Sequence, residues 1–254
     1  MSWTSGACTE MPLPSPLPDV TDRRVAAELM DDPRVEPTLH DGALRALARV
    51  NALSFTAGRL WRVVRRLRRE GAVPLRVLDL ACGGGDVAVS LAVRARRARI
   101  PVEIHACDRS AFAIDRARDR AERARVVVRF FALDVVEGTL PSGFDLVASS
   151  LFLHHLEAAE AVRLLSAMSR AGRVGVVQDL RRGRLGLALA WGALHLLTRS
   201  EIARVDGLRS VRAAFTVDEL GALARAAGLP SPEVTSVWPQ RLLLHWRRAP
   251  GPVR

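Results

Sequence analysis

The sequence from Leu75 to Asp179 alternates short apolar runs with longer, arginine-rich stretches of helical periodicity. Apolar runs that are separated by helices predict parallel strands, because a parallel connection must cross back over the sheet. Strands are predicted at 75–81, 102–108, 126–134, 144–150 and 173–179, with helices at 86–99, 111–123 and 158–171. This alternation predicts an α/β fold in which helices cover both faces of the sheet.

The segments on either side of this region follow other patterns. Residues 38–70 have helical periodicity that is interrupted near Thr56 and Gly58, and a short helix is predicted from Asp22 to Met30. After a helix predicted at 217–227, two closely spaced apolar runs predict a hairpin that pairs antiparallel at the sheet edge. The predicted organisation is a flexible, proline-rich tail at 1–20, a helical cap at 21–71 and one domain at 72–248 with a lid insert at about 183–213.

The composition limits the classes of protein to which the chain can belong. The formal net charge is +11 and all 38 basic residues are arginine, but they are interspersed with acidic residues along the whole chain. A nucleic-acid-binding protein more often gathers its charge on one stripe, so biased arginine usage is the favoured explanation. The three cysteines, Cys8, Cys82 and Cys107, have neither zinc-type nor redox-type spacing. We therefore expect no metal, no disulfide framework and a cytoplasmic location.

A glycine-rich loop follows the first predicted strand, in VLDLACGGGDVAVSLA at Val77–Ala92. Ligands of α/β sheets bind at the carboxyl ends of the strands, and glycine lets the backbone approach a ligand closely. Gly83–Ala88 also satisfies the dinucleotide pattern GxGxxG/A. However, Asp86 would lie at the helix N-terminus, where its carboxylate would repel a pyrophosphate. The same carboxylate favours a ligand that carries an amine and a sulfonium.

Three further acidic residues, Asp79, Asp108 and Asp134, lie at the ends of the first three predicted strands. The carboxylate of Asp79 could reach an amino group of the ligand, that of Asp108 both hydroxyls of a ribose, and that of Asp134 an adenine amino group. A single aspartate often ends a strand without binding anything. Three of them beside one glycine loop favour a nucleoside site.

The stretches VLDLACGGGD, ACDRS, FALDV and FDLVASSLFLHHL give the chain a resemblance, from about Leu75 to Arg248, to class I S-adenosylmethionine-dependent methyltransferases. The resemblance is closest to small-molecule methyltransferases similar to those of quinone biosynthesis and of polyketide-type gene neighbourhoods. It implies S-adenosylmethionine as cofactor and a Rossmann-like, doubly wound sheet of seven strands, mostly parallel with an antiparallel C-terminal hairpin strand. The implied cofactor-binding residues are Asp79, Ala81, Cys82, Gly83, Gly85, Asp108, Arg109, Asp134, Val135 and Ser150. Ala81 stands where the family often has glycine, and we expect alanine to fit if its φ angle is negative.

The stretch SSLFLHHLE at Ser149–Glu157 follows the fourth predicted strand, where the methyl group of such a cofactor would point. Methyl transfer requires close positioning of the reactants, and a histidine could deprotonate the acceptor. Neighbouring side chains on a helix lie about 100° apart, so we expect only one of the two histidines to face the site. His154 is the candidate base, with His155 second and Asp179, at the end of the fifth strand, in support. The alternative is that the histidines only cap a turn.

The region after the fifth strand is predicted to form the acceptor side of the cleft. Arg181, Arg182 and Arg184 would suit an acidic or phenolate acceptor. The apolar helix at Leu185–Thr198 is too short to span a bilayer and would cover the cleft, or alternatively make a weak contact with a membrane surface. Asn51 in the helical cap is a further candidate contact to the cofactor.

These patterns predict methyl transfer from S-adenosylmethionine to a small hydroxylated molecule of aromatic or polyketide-like type, with O-methylation favoured over C-methylation. The alternatives are a nucleic-acid methyltransferase, an NAD-type oxidoreductase and a non-catalytic relative that binds a partner through the apolar helix. The chain has no tyrosine and no lysine, which argues against an oxidoreductase with a Tyr-x-x-x-Lys pair. We expect a small-molecule partner, no nucleic acid and a role in secondary metabolism.

Overall fold

The computed structural model describes residues 19–26, 28–29, 36–71, 74–198 and 200–249. Of the tail predicted at 1–20, residues 1–18 lie outside these ranges, as does Cys8. Within the described ranges, every helix is too short or too polar to traverse a lipid bilayer.

Seven strands form one sheet. They are β1 (Leu75–Leu80), β2 (Val102–Asp108), β3 (Arg129–Ala132), β4 (Phe144–Ser150), β5 (Gly172–Leu180), β6 (Glu233–Val237) and β7 (Arg241–Arg247). Their order across the sheet is β3-β2-β1-β4-β5-β7-β6. β1 to β5 pair parallel, whereas β7 pairs antiparallel with both β5 and β6. The predicted fold, a mostly parallel α/β sheet with an antiparallel C-terminal hairpin strand, is confirmed.

Eight helices are described. They are α1 (Pro37–Leu53), α2 (Thr56–Arg69), α3 (Asp86–Ala98), α4 (Ala111–Arg123), α5 (Ala158–Ala171), α6 (Arg184–Leu197), α7 (Glu201–Ala213) and α8 (Val217–Ala226). Local capping explains where several of them begin. Ser110 accepts a hydrogen bond from the N–H of Ala113 at the start of α4, and Thr216 forms a capping box with Glu219 at the start of α8.

The order of the strands determines where a ligand can bind. β2 and β3 lie on one side of β1, and β4 and β5 lie on the other. The connections after β1 and β4 therefore leave in opposite directions, which opens a crevice at the carboxyl ends of these strands. α1, α6 and α7 pack against one another, and residues of all three helices line the same crevice.

The N-terminal segment differs from the sequence-based prediction. Residues 21–26 are irregular, so the helix predicted from Asp22 is wrong over this stretch. Arg23 gives the reason, because its Nε donates to the carbonyl of Ala213 at 2.7 Å and its Nη2 donates to the carbonyls of His154 and Leu156 at 3.0 and 2.6 Å. These tertiary hydrogen bonds outweigh a local helical preference, which is weak over so short a segment.

Trp246 on β7 occupies the space that Gly175 leaves on β5. The two residues face each other in the strand register, and the indole is fully buried. A Cβ atom at Gly175 would lie 1.9 Å from Cζ2 of Trp246. Packing of the hairpin onto the parallel strands therefore requires glycine at this position.

Gly175→Ala should lower the free energy of unfolding by at least about 1–3 kcal/mol, because the added methyl group overpacks the core. Gly192→Ala is the matched control, since an added Cβ in this α6 position meets nothing within 4 Å. Within a helix that change should be neutral or stabilise by about 0.5–1 kcal/mol. Denaturant unfolding of both variants makes the comparison, and equal stabilities would contradict the packing described here.

Candidate active site

A cavity of about 1040 Å³ lies at the carboxyl ends of the parallel strands. The glycine loop and the segment after β4 form one part of its wall, and α1, α6 and α7 form another. Ligand pockets in proteins commonly measure about 300–1,000 Å³. The cavity is therefore large enough for a nucleoside cofactor together with a small second substrate.

The glycine loop connects β1 to α3 through backbone conformations that favour glycine. Gly83 and Gly85 have φ angles of +50° and +70°. A Cβ at Gly85 would lie 2.7 Å from the Cβ of Ala117 on α4, so this glycine also allows α3 and α4 to approach each other. The loop thereby presents the first turn of α3 to the cavity, where free N–H groups can bind a ligand.

Ala81 corrects an expectation from the sequence. Its φ angle is +52°, not negative, so the condition under which alanine was expected to replace glycine is not met. The N–H of the next residue, Cys82, donates to the carbonyl of Cys107 at 2.9 Å, and this hydrogen bond between two strand ends holds the turn. A left-handed conformation costs an L-residue about 1–2 kcal/mol, which the surrounding structure must offset.

Asp79, which is buried, and Asp86, which is half-buried, belong to an acidic cluster beside the loop. Asp79 is 2% exposed, its Oδ2 has no hydrogen-bond partner, and it does not line the cavity itself. Burial is the main cause that raises the pKa of Asp79 to about 8, and the nearby negative charges of Asp86 and Asp108 raise it further. Burial also raises the pKa of Asp86, which opens α3 and accepts a hydrogen bond from Asn51 Nδ2 at 3.0 Å. Asn51 thus lines the cavity and bridges α1 to the loop.

Asp108 is held by two backbone donors at the end of β2. Its Oδ2 accepts from the N–H of Gly83 at 2.8 Å and its Oδ1 from the N–H of Ser110 at 2.9 Å. A carboxylate has about four acceptor sites, so Asp108 retains capacity for the two hydroxyls of a ribose. The neighbouring Arg109 also lines the cavity.

The remaining predicted cofactor residues lie on the same cavity wall. Asp134 is exposed two residues beyond the end of β3, and its Oδ1 accepts from the N–H of Val136 at 2.9 Å. Val135 and Cys82 are buried wall residues, and Ser150 at the end of β4 carries a buried hydroxyl without a partner. The cavity thus brings together every predicted cofactor residue except Asp79 and Gly85. Asp79 lies behind the loop, and Gly85 packs against Ala117 of α4.

His154 and Asp179 form a buried pair between β4 and β5. The Nδ1 of His154 lies 2.6 Å from Asp179 Oδ1, and the His154 backbone N–H donates to Asp179 Oδ2 at 2.9 Å. Burial alone would lower the pKa of His154, but the carboxylate of Asp179 and then that of Glu28 raise it well above its ordinary value. The ring is thereby fixed with Nδ1 on Asp179, and Nε2 faces Glu28 at the cavity.

Glu28 is a site residue that the sequence analysis missed. Its Oε1 lies 3.8 Å from Nε2 of His154 and 3.6 Å from Nε2 of His155, and it accepts a hydrogen bond from Ser210 Oγ at 2.5 Å. Both histidine rings therefore approach one point, which corrects the expectation that only one of them could. They do so although they lie in a 3₁₀ turn, Leu153–His155, which separates neighbouring side chains by about 120°. Their ring centres are 4.3 Å apart, and Glu28 is the partner that they share. Glu28, His154 and His155 each offer one possible metal-ligand atom, and these atoms lie within 4.8 Å of one another. In the described part of the chain, this is the group of side chains that could share a cation.

The three arginines after β5 differ in their partners and in whether they line the cavity. Arg182 is buried and its Nη1 and Nη2 donate to the two carboxylate oxygens of Glu219 at 2.8 and 2.7 Å, so its charge is already paired. Arg184 is exposed and does not line the cavity. Arg181 does line it and donates to Ser236 Oγ at 2.9 Å. A third cavity-lining arginine, Arg241 on β7, was not foreseen because it lies sixty residues beyond Arg181 in the chain.

The site therefore has the form of a nucleoside-binding α/β enzyme, with acidic residues after successive strands and a buried histidine–carboxylate pair beside them. Residues 77–175 match the family model described as a methyltransferase domain. This segment, from β1 into β5, is therefore similar to methyltransferase domains, in agreement with the sequence-based recognition. The search of the curated proteins gives no match.

Solved structures of methyltransferases share the fold. A candidate O-methyltransferase from Nostoc punctiforme PCC 73102 is 20% identical with a TM-score of 0.60, over 88% of this chain and 63% of that one. Magnesium protoporphyrin IX methyltransferase from Synechocystis PCC 6803, solved with bound S-adenosylhomocysteine, is 17% identical with a TM-score of 0.54, over 86% and 90%. The CurJ carbon methyltransferase is 13% identical with a TM-score of 0.62, over 85% and 62%. The chain spans only 47% to 63% of the length of five such structures, including the Nostoc and CurJ proteins.

The raised pKa of Asp79 predicts a pH-dependent affinity for the cofactor. Below about pH 8 this carboxyl group is protonated in the ligand-free protein, whereas a ligand that carries an ammonium favours the ionised form. Binding should therefore release a proton, and the affinity for S-adenosylhomocysteine should rise by up to about tenfold per pH unit from pH 6 to 8. Calorimetric titration across this range measures the slope. Asp79→Asn should remove it, and a flat profile in the unaltered protein would contradict the electrostatic argument.

Proposed function

We propose that the protein transfers a methyl group from S-adenosylmethionine to a small hydroxylated acceptor. The observation that supports this most directly is a single cavity that is lined by the acidic residues of the glycine loop and β2 and also by His154. The methyltransferase domain that matches residues 77–175 includes both of these regions.

The residues beside the glycine loop suit a cationic nucleoside ligand. When bound, S-adenosylmethionine supplies an electrophilic methyl group on a positively charged sulfur. Asp79 Oδ2 and Ser150 Oγ are buried polar atoms without partners, and such atoms are expected to bind something in the functional state. We assign the amino end of the cofactor to Asp86, with Asp79 acting electrostatically from behind the loop, the ribose to Asp108 and the adenine to Asp134. Backbone and side chains of Ala81, Cys82, Gly83, Gly85, Arg109, Val135 and Ser150 complete the proposed site.

His154 is proposed as the proton acceptor for the acceptor hydroxyl. Nδ1 is held by Asp179, so the proton from the acceptor would pass to Nε2 while the acceptor oxygen forms its bond to the methyl carbon and the carbon–sulfur bond breaks. Asp179 positions the ring and stabilises the imidazolium that results. His155, on the same turn, is proposed as a second positioning group beside the acceptor.

This role requires His154 to lose its proton before each reaction. Because the two carboxylates hold its pKa well above the ordinary value in the ligand-free protein, the ring begins as an imidazolium at neutral pH. A positively charged cofactor in the same cavity opposes that charge and favours the neutral, basic form.

O-methylation is proposed first and C-methylation second, and a histidine base can serve an acidic O–H or C–H bond. Both kinds of methyltransferase are among the structures that share the fold. The exposed apolar residues of α6, Leu185, Trp191 and Leu196, are where a weak membrane-surface contact would occur. That contact, a cytoplasmic location, a role in secondary metabolism and the absence of a nucleic-acid partner stay predictions.

Asp108→Ala should weaken the binding of S-adenosylhomocysteine by roughly 10- to 100-fold, because it removes charge-assisted hydrogen bonds to the ribose. Asp115→Ala is the matched control, since Asp115 is an exposed residue of α4 whose ion pair with Arg118 lies at the surface. Isothermal titration calorimetry of the three proteins makes the comparison. Binding of NADH in place of the sulfur ligand would overturn the proposal and favour the oxidoreductase alternative.

His154→Ala should lower kcat for methyl transfer by about 10²- to 10⁴-fold, the usual contribution of a positioned base. The assay follows the release of S-adenosylhomocysteine with a panel of phenolic and quinol acceptors. His195→Ala provides the control, because His195 hydrogen-bonds within α6 to the carbonyl of Trp191 and should leave kcat unchanged. A His154→Ala enzyme with unaltered kcat and cofactor affinity would remove this residue from the mechanism.

A further inference from the structure

Arg241 is a buried cation at the wall of the cavity. It is the first residue of β7 and lies opposite Leu180, the residue that follows Asp179 on β5. Its side chain lines the cavity although the residue is only 5% exposed. An arginine is almost never buried to this extent unless it is paired.

The guanidinium of Arg241 is incompletely paired. Its Nη2 donates to Ser54 Oγ at 3.0 Å, whereas Nε and Nη1 are buried without a hydrogen-bond partner. Ser54 is itself buried and lines the same cavity. Across the described ranges, no carboxylate lies within ion-pair distance of Arg241, in contrast to the bidentate contact of Arg182 with Glu219. Burial lowers the pKa of Arg241 to about 10, so the group stays positively charged at neutral pH.

The charges around the cavity are only partly separated by sign, since Arg109 lies at the end of β2 and Glu28 lies beside His154. Asp86, Asp108 and Asp134 belong to the part of the wall assigned to the cationic cofactor, whereas Arg241 and Arg181 come from the strand ends on the other side of β4. The helix that lines the cavity with Leu189, Ala193 and Leu197 is apolar. The second substrate would therefore find an apolar wall and one unpaired, planar cation.

We propose that the acceptor carries a carboxylate, which binds to the guanidinium of Arg241 and the hydroxyl of Ser54. The fork of an arginine matches a carboxylate with two parallel hydrogen bonds, and the buried N–H groups that lack partners would then be satisfied. The rest of the acceptor is an apolar, aromatic or aliphatic body against α6. This inference rests on the proposed methyltransferase function, because it assigns the other part of the cavity to the cofactor.

The test compares an acid with its neutral analogue. 2-Naphthoate and 2-naphthalenemethanol are titrated separately into the protein saturated with S-adenosylhomocysteine, and binding is measured by calorimetry. The unaltered protein should prefer the acid by roughly 10- to 100-fold, the range for hydrogen bonds to a charged group. Arg241→Gln should abolish the preference, Arg241→Lys should retain part of it, and Ser54→Ala should reduce it several-fold. Arg184→Gln, an exposed arginine outside the cavity, is the matched control and should preserve it.

Each remaining outcome counts against the carboxylate site. Equal binding of the two probes to the unaltered protein, binding of neither, or an acid preference that survives in both Arg241→Gln and Ser54→Ala would overturn the proposal. Loss of S-adenosylhomocysteine affinity in Arg241→Gln would instead assign the guanidinium to the carboxylate of the cofactor. If Arg241→Gln does not fold, Arg241→Lys and Ser54→Ala decide the question. If the unaltered protein does not bind S-adenosylhomocysteine at all, the proposed methyltransferase function fails, which is a different result.

Discussion

Asp179, near the carboxyl end of β5, fixes the turn after β4. This turn carries His154 and forms the acceptor side of the cavity. Asp179 Oδ2 accepts from the backbone N–H of His154, and its Oδ1 lies within hydrogen-bond distance of the His154 ring and of the Leu180 N–H. Because one carboxylate holds both the backbone and the ring, the turn after β4 and the orientation of the imidazole are set together. The ring then presents Nε2 towards Glu28, which links the N-terminal segment to the site.

The topology of the sheet explains why opposite charges border one cavity. Parallel strands bring their last residues to a common edge, and there Asp108 and Asp179 lie at or near the ends of β2 and β5. β7 runs antiparallel, so its first residue, Arg241, arrives at that same edge. The overall charge of +11 says little about this arrangement, because individual arginines differ in pairing: Arg182 is neutralised by Glu219, whereas Arg241 is not.

The spacing of apolar residues predicted most helices and strands, because a helix buries one face with a period of about 3.6 residues and a central strand is apolar throughout. The helices at 111–123 and 158–171 have the predicted bounds. β3 is shorter than predicted, at Arg129–Ala132, since this edge strand pairs only with β2 and over four residue pairs. The segment from Asp22 was mistaken for a helix because the hydrogen bonds of Arg23 to Ala213, His154 and Leu156 come from distant parts of the chain.

The sequence by itself determined the α/β fold, the glycine loop and the acidic residues that follow the strands, because each depends on neighbours within a few positions. It also placed the two histidines after β4. Only the tertiary structure decided which partners they have: Glu28 approaches both rings, Ala81 takes a positive φ angle, and Arg241 reaches the cavity beside Ser54. Those contacts join residues separated by as many as 187 positions, and no periodicity in the sequence carries information over that distance. Their positions follow from the strand order and from the antiparallel direction of β7, which bring distant residues to one edge of the sheet.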